Sequence, residues 1–208
     1  RQMCIRDSCY YPGEDRIVEK ESSAGIVEPL LNTYNPPMVP MPEQNQLKEK
    51  LFTNHLRYLC AGNEDFVQYL LDWMAFLIQN PGQLITSCPV IIGREGNGKS
   101  FVGNVLTEML GKKNVAMISP EELAGDFHDG IAFKQLLVVE EIKVHEGQLS
   151  IMETLKRLIG NSRISINRKG RAKIDVDNVG NWFFTSNHED ALRLTADARR
   201  YAVISSDA

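Results

Sequence analysis

Apolar side chains recur along this chain at two different periods, and the places where the period changes divide it into parts. Leu47, Leu51, Phe52, Leu56 and Leu59 fall on one face of a helix, and Phe66, Tyr69, Leu70, Trp73, Met74 and Leu77 repeat at the spacing of a second. Asn63 offers the second helix a cap, Glu64 and Asp65 put negative charge in its first turn, and Asn80-Pro81-Gly82 stops it. The stripe that contains Trp73 has the spacing of core packing rather than of a base-stacking platform. From Cys88 to Ile92 the pattern becomes a short unbroken apolar run, as in a strand buried on both faces, with Pro89 tolerable near its start. Helical spacing returns with Phe101, Val102, Val105, Leu106, Met109 and Leu110 and ends at Gly111.

Further short strands are predicted at Val115–Ile118, Gln135–Val139, Trp182–Thr185 and Tyr201–Ile204. Ser119-Pro120-Glu121-Glu122 is a capping box with proline at the first helical position, and Leu149, Met152, Leu155, Leu158 and Ile159 form another amphipathic helix closed by Gly160. Ile164 and Ile166 alternate on one arm of a hairpin and Ile174 and Val176 on the other, around the turn Asn167-Arg168-Lys169-Gly170-Arg171. The expected fold is α/β, a parallel sheet with helices on both faces over residues 83–208, preceded by a small helical subdomain over 46–82. Residues 9–45 are polar and then proline-rich, at Pro36, Pro37, Pro40 and Pro42, and read as an extended linker. Gln2–Ser8 fit no element and resemble the translated end of a transposase adapter used in sequencing libraries. Residues 1–8 are therefore expected to be a contaminant, with the chain starting inside a longer gene.

Composition narrows the function classes. A chain of 208 residues with 43% hydrophobic content is ordinary for a globular protein. The net charge of −4 excludes a generally basic nucleic-acid binder, so any polyanion site must be a local patch. No apolar run approaches the length of a membrane span. Cys4, Cys9, Cys60 and Cys88 show no CxxC spacing, which supports neither zinc nor a disulfide framework and leaves a reduced, intracellular setting as the expectation.

The candidate chemistry starts at Gly93-Arg94-Glu95-Gly96-Asn97-Gly98-Lys99-Ser100, a GxxxxGK[ST] phosphate-binding loop between a strand and a helix. Gly93, Gly96 and Gly98 are expected to take positive φ and bring the backbone amides, with that of Asn97, close to a polyphosphate. Lys99 would reach the β and γ phosphates, and the Ser100 hydroxyl would ligate magnesium. Glu140-Glu141 ends a buried apolar strand, where open α/β sheets hold their ligands. Glu140 is assigned to the metal shell and Glu141 to activation of the attacking water. Asn187, delivered by the strand before it, can hold that water or the γ-phosphate. Arg199 and Arg200 offer an arginine finger to a neighbouring subunit, with a surface salt bridge to Asp197 as the plain alternative. Lys156, Arg157, Arg163, Arg168, Lys169, Arg171 and Lys173 share a segment that contains no acid, which points to phosphate-backbone contact at the hairpin tip.

These stations in this order resemble the superfamily III helicases, most of all the helicase domain of phage and plasmid primase-helicase and primase-polymerase proteins. The likeness runs from about Asn32 to the C-terminus. It rests on Gly93–Ser100 as motif A, Val138–Glu141 as motif B, Leu155–Gly170 as the B′ region, Phe184–Asn187 as motif C and Asp197–Tyr201 as the arginine element. The resemblance implies an AAA+-like P-loop NTPase core that uses ATP and Mg2+ and assembles as a ring, usually hexameric, with ATP sites between subunits. It implies that the hairpin grips single-stranded DNA in the channel, with Lys169 as the best match beside Arg168, Arg171 and Lys173, and that Arg199 or Arg200 acts in trans. A helical subdomain for oligomerisation, a primase or polymerase domain in the full-length chain, and the cytoplasm of a bacterium or phage-infected host follow from it as well. Two features depart from the family: Glu140 stands where aspartate is frequent, and the chain ends soon after its last strand, as a C-terminally truncated core would. Two other functions use the same residues: an ATPase that loads or remodels a replication helicase, and a nucleotide-regulated DNA-binding module without hydrolysis.

Overall fold

The structure, a computed structural model, describes residues 8–21, 25–37, 45–125, 130–144, 149–167, 169–170, 172–192 and 198–206. Five parallel strands form its central sheet: β4 (Cys88–Ile92), β5 (Val115–Met117), β6 (Leu136–Val139), β9 (Asn181–Ser186) and β10 (Tyr201–Ser205), side by side in the order β10-β4-β9-β6-β5. Burial on both faces explains their composition, since every residue of β4, β6 and β9 is buried. Side chains alternate between two cores. Trp182 and Phe184 enter one, where their rings stack at a 5.8 Å centroid separation, and Phe183 between them enters the other.

Helices cover both faces, as the alternation of elements predicts. On the Phe183 face lie α1 (Gln46–Leu59), α2 (Glu64–Gln79) and α3 (Lys99–Leu110); on the Trp182 face lie α4 (Pro120–Ala124) and α5 (Leu149–Gly160). The caps form where the sequence puts them. The Asn63 side chain accepts from the amides of Asp65 and Phe66, and Ser119 and Glu122 close a capping box. Trp73 is core, its indole N–H donating to the Ser87 carbonyl over 2.9 Å. The expected apolar face of α1 is only partly used. Leu56 and Leu59 are buried and Phe52 is half-buried against the core, whereas Leu47 and Leu51, nearer the start of the helix, are 67% and 61% exposed.

The extended linker expected over 9–45 is corrected for its first part. β1 (Ser8–Cys9), β2 (Ile17–Glu21) and β3 (Val27–Asn32) form a three-stranded sheet in the order β1-β3-β2, with β2 antiparallel and β1 parallel to β3. The Asn32 side chain fastens it by donating to the carbonyls of Tyr11, Glu14 and Asp15. The Tyr10 hydroxyl then ties it to the main domain through Asn114 over 3.0 Å. Residues 33–37 carry no regular structure, as their prolines dictate. The expected contaminant segment lies outside the described residues except for Ser8, which pairs with Leu31. The predicted hairpin is β7 (Arg163–Ile166) and β8 (Ile174–Asp177), paired antiparallel.

Candidate functional site

Because all five strands are parallel, their carboxyl ends share one edge of the sheet. Ile92 lies opposite Ser186 and Val139 opposite Phe184, so the chain leaving β4, β9 and β6 emerges side by side. Gly93–Ser100, Asn187 and Glu140-Glu141 are the residues that leave there.

The loop is shaped by three glycines for two different reasons. Gly96 and Gly98 take φ of 78° and 86°, as expected. Gly93 does not, and its requirement is space. A Cβ there would sit 1.7 Å from Ser206 Oγ and 2.5 Å from Asn97 Nδ2, which bond to each other over 2.6 Å. Lys99 is buried and turns its ammonium into the curve of the loop, donating to the carbonyls of Gly93 and Arg94 over 2.6 Å each and to Asn97 Oδ1 over 2.9 Å. Ser100, the second residue of α3, is exposed beside it.

Glu140 is half-buried and Glu141 exposed. Glu141 has φ of 54°, a left-handed conformation unusual for a residue with a side chain. The neighbouring strand enforces it. The Ile142 amide donates to the Thr185 carbonyl over 3.0 Å, and the buried Ser186 hydroxyl donates back to the Ile142 carbonyl over 2.7 Å. Ser186 Oγ also accepts from the His188 amide, fixing the turn that exposes Asn187. One serine thus anchors both the carboxylate pair and the asparagine.

Arg199 and Arg200 lie elsewhere. They precede β10, whose first residue Tyr201 pairs with Cys88, so they stand at the amino edge of the sheet. A five-residue strand separates the edges, about 16 Å. The two differ in surroundings. The Arg200 guanidinium lies against Gly160, at the C-terminal end of α5, where a Cβ would come within 3.3 Å of its Nε, while Arg199 is exposed.

The hairpin also springs from the amino edge, its base held by the Asn178 amide donating to the Ser162 carbonyl. Lys169 and Lys173 are exposed near its tip, and Arg168 and Arg171 lie outside the described residues. Asp175 and Asp177, on the second arm, pair with Ser165 and Arg163 along the ladder, so the excess positive charge is confined to the turn.

The profile of a family of unknown function, DUF5906, matches residues 91–200, more than half of the chain. The chain belongs to this family. The DUF5906 segment begins inside β4 and ends at Arg200, and so contains the loop, both glutamates, Asn187, the hairpin and both arginines. A DNA primase-polymerase of Nitratiruptor phage NrS-1 is 22% identical over 192 residues, which are 89% of this chain and 26% of that protein. Two solved structures of the NrS-1 C-terminal region share the fold, each with a TM-score of 0.77, at 19% and 21% identity, covering 96% of this chain and 47% of theirs. The chain therefore spans about a quarter of the curated relative it matches.

Three contributors to the edge escape sequence reasoning. Ser186 looks like the polar end of a strand, and Ser206 and His55 lie outside the DUF5906 segment. His55, on α1, brings Nε2 to 3.0 Å from the Gly98 carbonyl. No local pattern marks it, because the contact joins residues 43 apart. Among the described residues there is no cluster of three or more histidine, cysteine, aspartate or glutamate side chains that would hold a metal unaided, and no helix long and apolar enough to cross a membrane.

Proposed function

We propose that this DUF5906 chain is the ATP-hydrolysing, DNA-translocating module of a phage-type replication protein, built as a superfamily III helicase core. The observation that carries the reading is the division of its groups between the two edges of the sheet. The loop, Glu140, Glu141 and Asn187 share the carboxyl edge, while Arg199 stands at the amino edge, about a strand length away. An arginine so placed serves a phosphate site on a second copy of the chain, which supports a ring, of six subunits in the family it resembles. The exposure of Arg199 and the packing of Arg200 against α5 favour Arg199 as the finger.

A nucleoside triphosphate fits the loop on the chain's own features: a buried lysine head group, two glycines at positive φ and a third with no room for a side chain. Lys99 and the backbone amides of residues 96–100 would hold ATP. Ser100 and Glu140 would hold Mg2+, which when bound neutralises phosphate charge. Glu141, strained into the open, would take a proton from the attacking water, and the Asn187 amide would orient that water. Arg168, Lys169, Arg171 and Lys173 at the hairpin would contact the backbone of single-stranded DNA. Similarity to a primase-polymerase supports a primase or polymerase domain in the same full-length chain.

Steady-state ATP hydrolysis with and without single-stranded DNA tests this. Stimulation by DNA is expected, with loss to background in Lys99→Ala. Hydrolysis equal with and without DNA would argue against translocation, and no hydrolysis at all against the ATPase.

A further inference from the structure

Beside the glycine-rich loop lies a group of aromatic rings at the margin of the core, where Phe52 packs partly against it and Phe101 stands exposed. Phe101, one residue past Ser100 on α3, is 49% exposed, although Val102, Leu106 and Leu110 of the same helix are fully buried. Its ring meets His55 edge-on at 5.3 Å between centroids and Phe52 at 6.4 Å, both from α1. His55 and Phe101 meet at Gly98, whose carbonyl accepts from the Phe101 amide over 3.1 Å and lies 3.0 Å from His55 Nε2. A Cβ at Gly98 would come within 2.5 Å of the His55 ring, so that ring abuts the loop directly.

A triphosphate cradled by the loop has its α and β phosphates on the backbone amides and its γ end within reach of Lys99. With the α end past Ser100, the sugar and base leave beside Phe101 on α3. A flat, partly apolar group leaving there meets Phe101. A large exposed aromatic ring next to a polyanion cradle is suited to a ligand that is charged at one end and aromatic at the other. We propose that Phe101, backed by Phe52 and His55, is the shelf on which the nucleobase stacks. The inference rests on the reading of Gly93–Ser100 as a triphosphate site and adds where the base sits. It also gives α1 a direct part in nucleotide binding, since two of the three rings are its own.

The test compares ATP with inorganic tripolyphosphate, which has the phosphates and no base. Binding of each, with Mg2+, is measured by titration calorimetry to the full chain and to Phe101→Ala, His55→Ala and Lys99→Ala. Phe101→Ala should weaken ATP by about tenfold and leave tripolyphosphate unchanged, the size expected for one lost base-aromatic stack. Lys99→Ala should weaken both. In Phe101→Trp, which keeps a stacking ring, ATP should quench the new indole fluorescence and tripolyphosphate should not. Equal weakening of both ligands by Phe101→Ala would overturn the shelf and make the ring a support of the loop. Unchanged ATP binding with altered self-association, or with altered DNA binding, would make the patch a subunit or DNA surface instead. If neither ligand binds the wild-type chain, the triphosphate reading itself fails and the shelf with it; if tripolyphosphate binds as tightly as ATP, only the shelf fails.

Discussion

The Ser186 hydroxyl donates to the Ile142 carbonyl over 2.7 Å and thereby holds the ends of β9 and β6 together, one residue from Asn187 and one from Glu141. Glu141 is kept at φ of 54° by that connection. For a residue with a Cβ the left-handed conformation costs about 1–2 kcal/mol, and glycine adopts it freely at some loss of chain entropy. Glu141→Gly should therefore raise the unfolding free energy by about 0.5–1 kcal/mol while removing hydrolysis. Glu141→Gln keeps the strain and should lose hydrolysis with stability unchanged. Urea midpoints and ATPase rates on the two variants separate strain from chemistry.

Ser186→Ala leaves the buried Ile142 carbonyl without its donor. A loss of about 1–3 kcal/mol in stability is expected. Hydrolysis should fall as well, because Glu141 and Asn187 lose their common anchor, while ATP binding, proposed for the loop on the other side of the edge, should hold. Binding lost in parallel with hydrolysis would show that Ser186 supports the whole edge and not the pair.

Gly93 is required for space, since a Cβ would overlap Ser206 Oγ at 1.7 Å. Gly93→Ala should destabilise the chain by about 1–3 kcal/mol. Adding Ser206→Ala removes the overlapping atom and should recover part of that loss. A double-mutant cycle on thermal unfolding measures the recovery, and strict additivity would refute the contact.

Much of this edge was legible beforehand. The apolar runs at Cys88–Ile92, Leu136–Val139 and Trp182–Thr185 announce buried parallel strands, and each is followed by the polar residues that the edge exposes, so the loop, Glu140-Glu141 and Asn187 are legible from adjacency alone. What adjacency could not give was contact across the chain. His55 meets Gly98 only because α1 folds over α3, and the spacing of the exposed Leu47 and Leu51 does not set them apart from the buried Leu56 and Leu59. The strands at 8–32 leave no signature in the sequence for a related reason. β1 is two residues long and pairs in parallel with a partner more than twenty residues away, and neither feature leaves a periodic trace. The separation of Arg199 from the loop likewise emerges only from the strand order.

That separation predicts complementation. Arg199→Ala, at an exposed side chain, should change stability by no more than about 0.5 kcal/mol and lose hydrolysis. Mixed with Lys99→Ala, it should regain activity, because one variant supplies an intact loop and the other an intact arginine at the shared boundary. Arg200→Ala should instead lose about 1 kcal/mol of stability with its contact at the end of α5. Absence of recovery in mixtures that still co-assemble would place the finger elsewhere.

Alkaline pH should unfold the chain through groups buried in their protonated form. Burial, aided by the charge of Glu64, pushes the Cys60 thiol from its ordinary 9.0 up to about 11. Burial raises Cys88, Tyr10 and Tyr201 as well. Each folded pKa lies above its unfolded one, so the folded chain binds more protons in the window between them. The associated stability is complete below the unfolded pKa and is lost as pH rises through the folded value. Lys134, lowered by burial, acts in the opposite sense, favouring the folded chain as pH rises toward its ordinary 10.5. Cys9, Tyr34 and Tyr69 are also raised by burial, and Lys20 by its hydrogen bond to Tyr11. Among the described residues eight groups therefore oppose one, and the urea midpoint should stay level through neutrality and fall between about pH 9 and about pH 11. Cys60→Ala should make that fall shallower, whatever it does to the midpoint at pH 7, and an unchanged slope would mean that Cys60 ionises as freely in the folded chain as in the unfolded one.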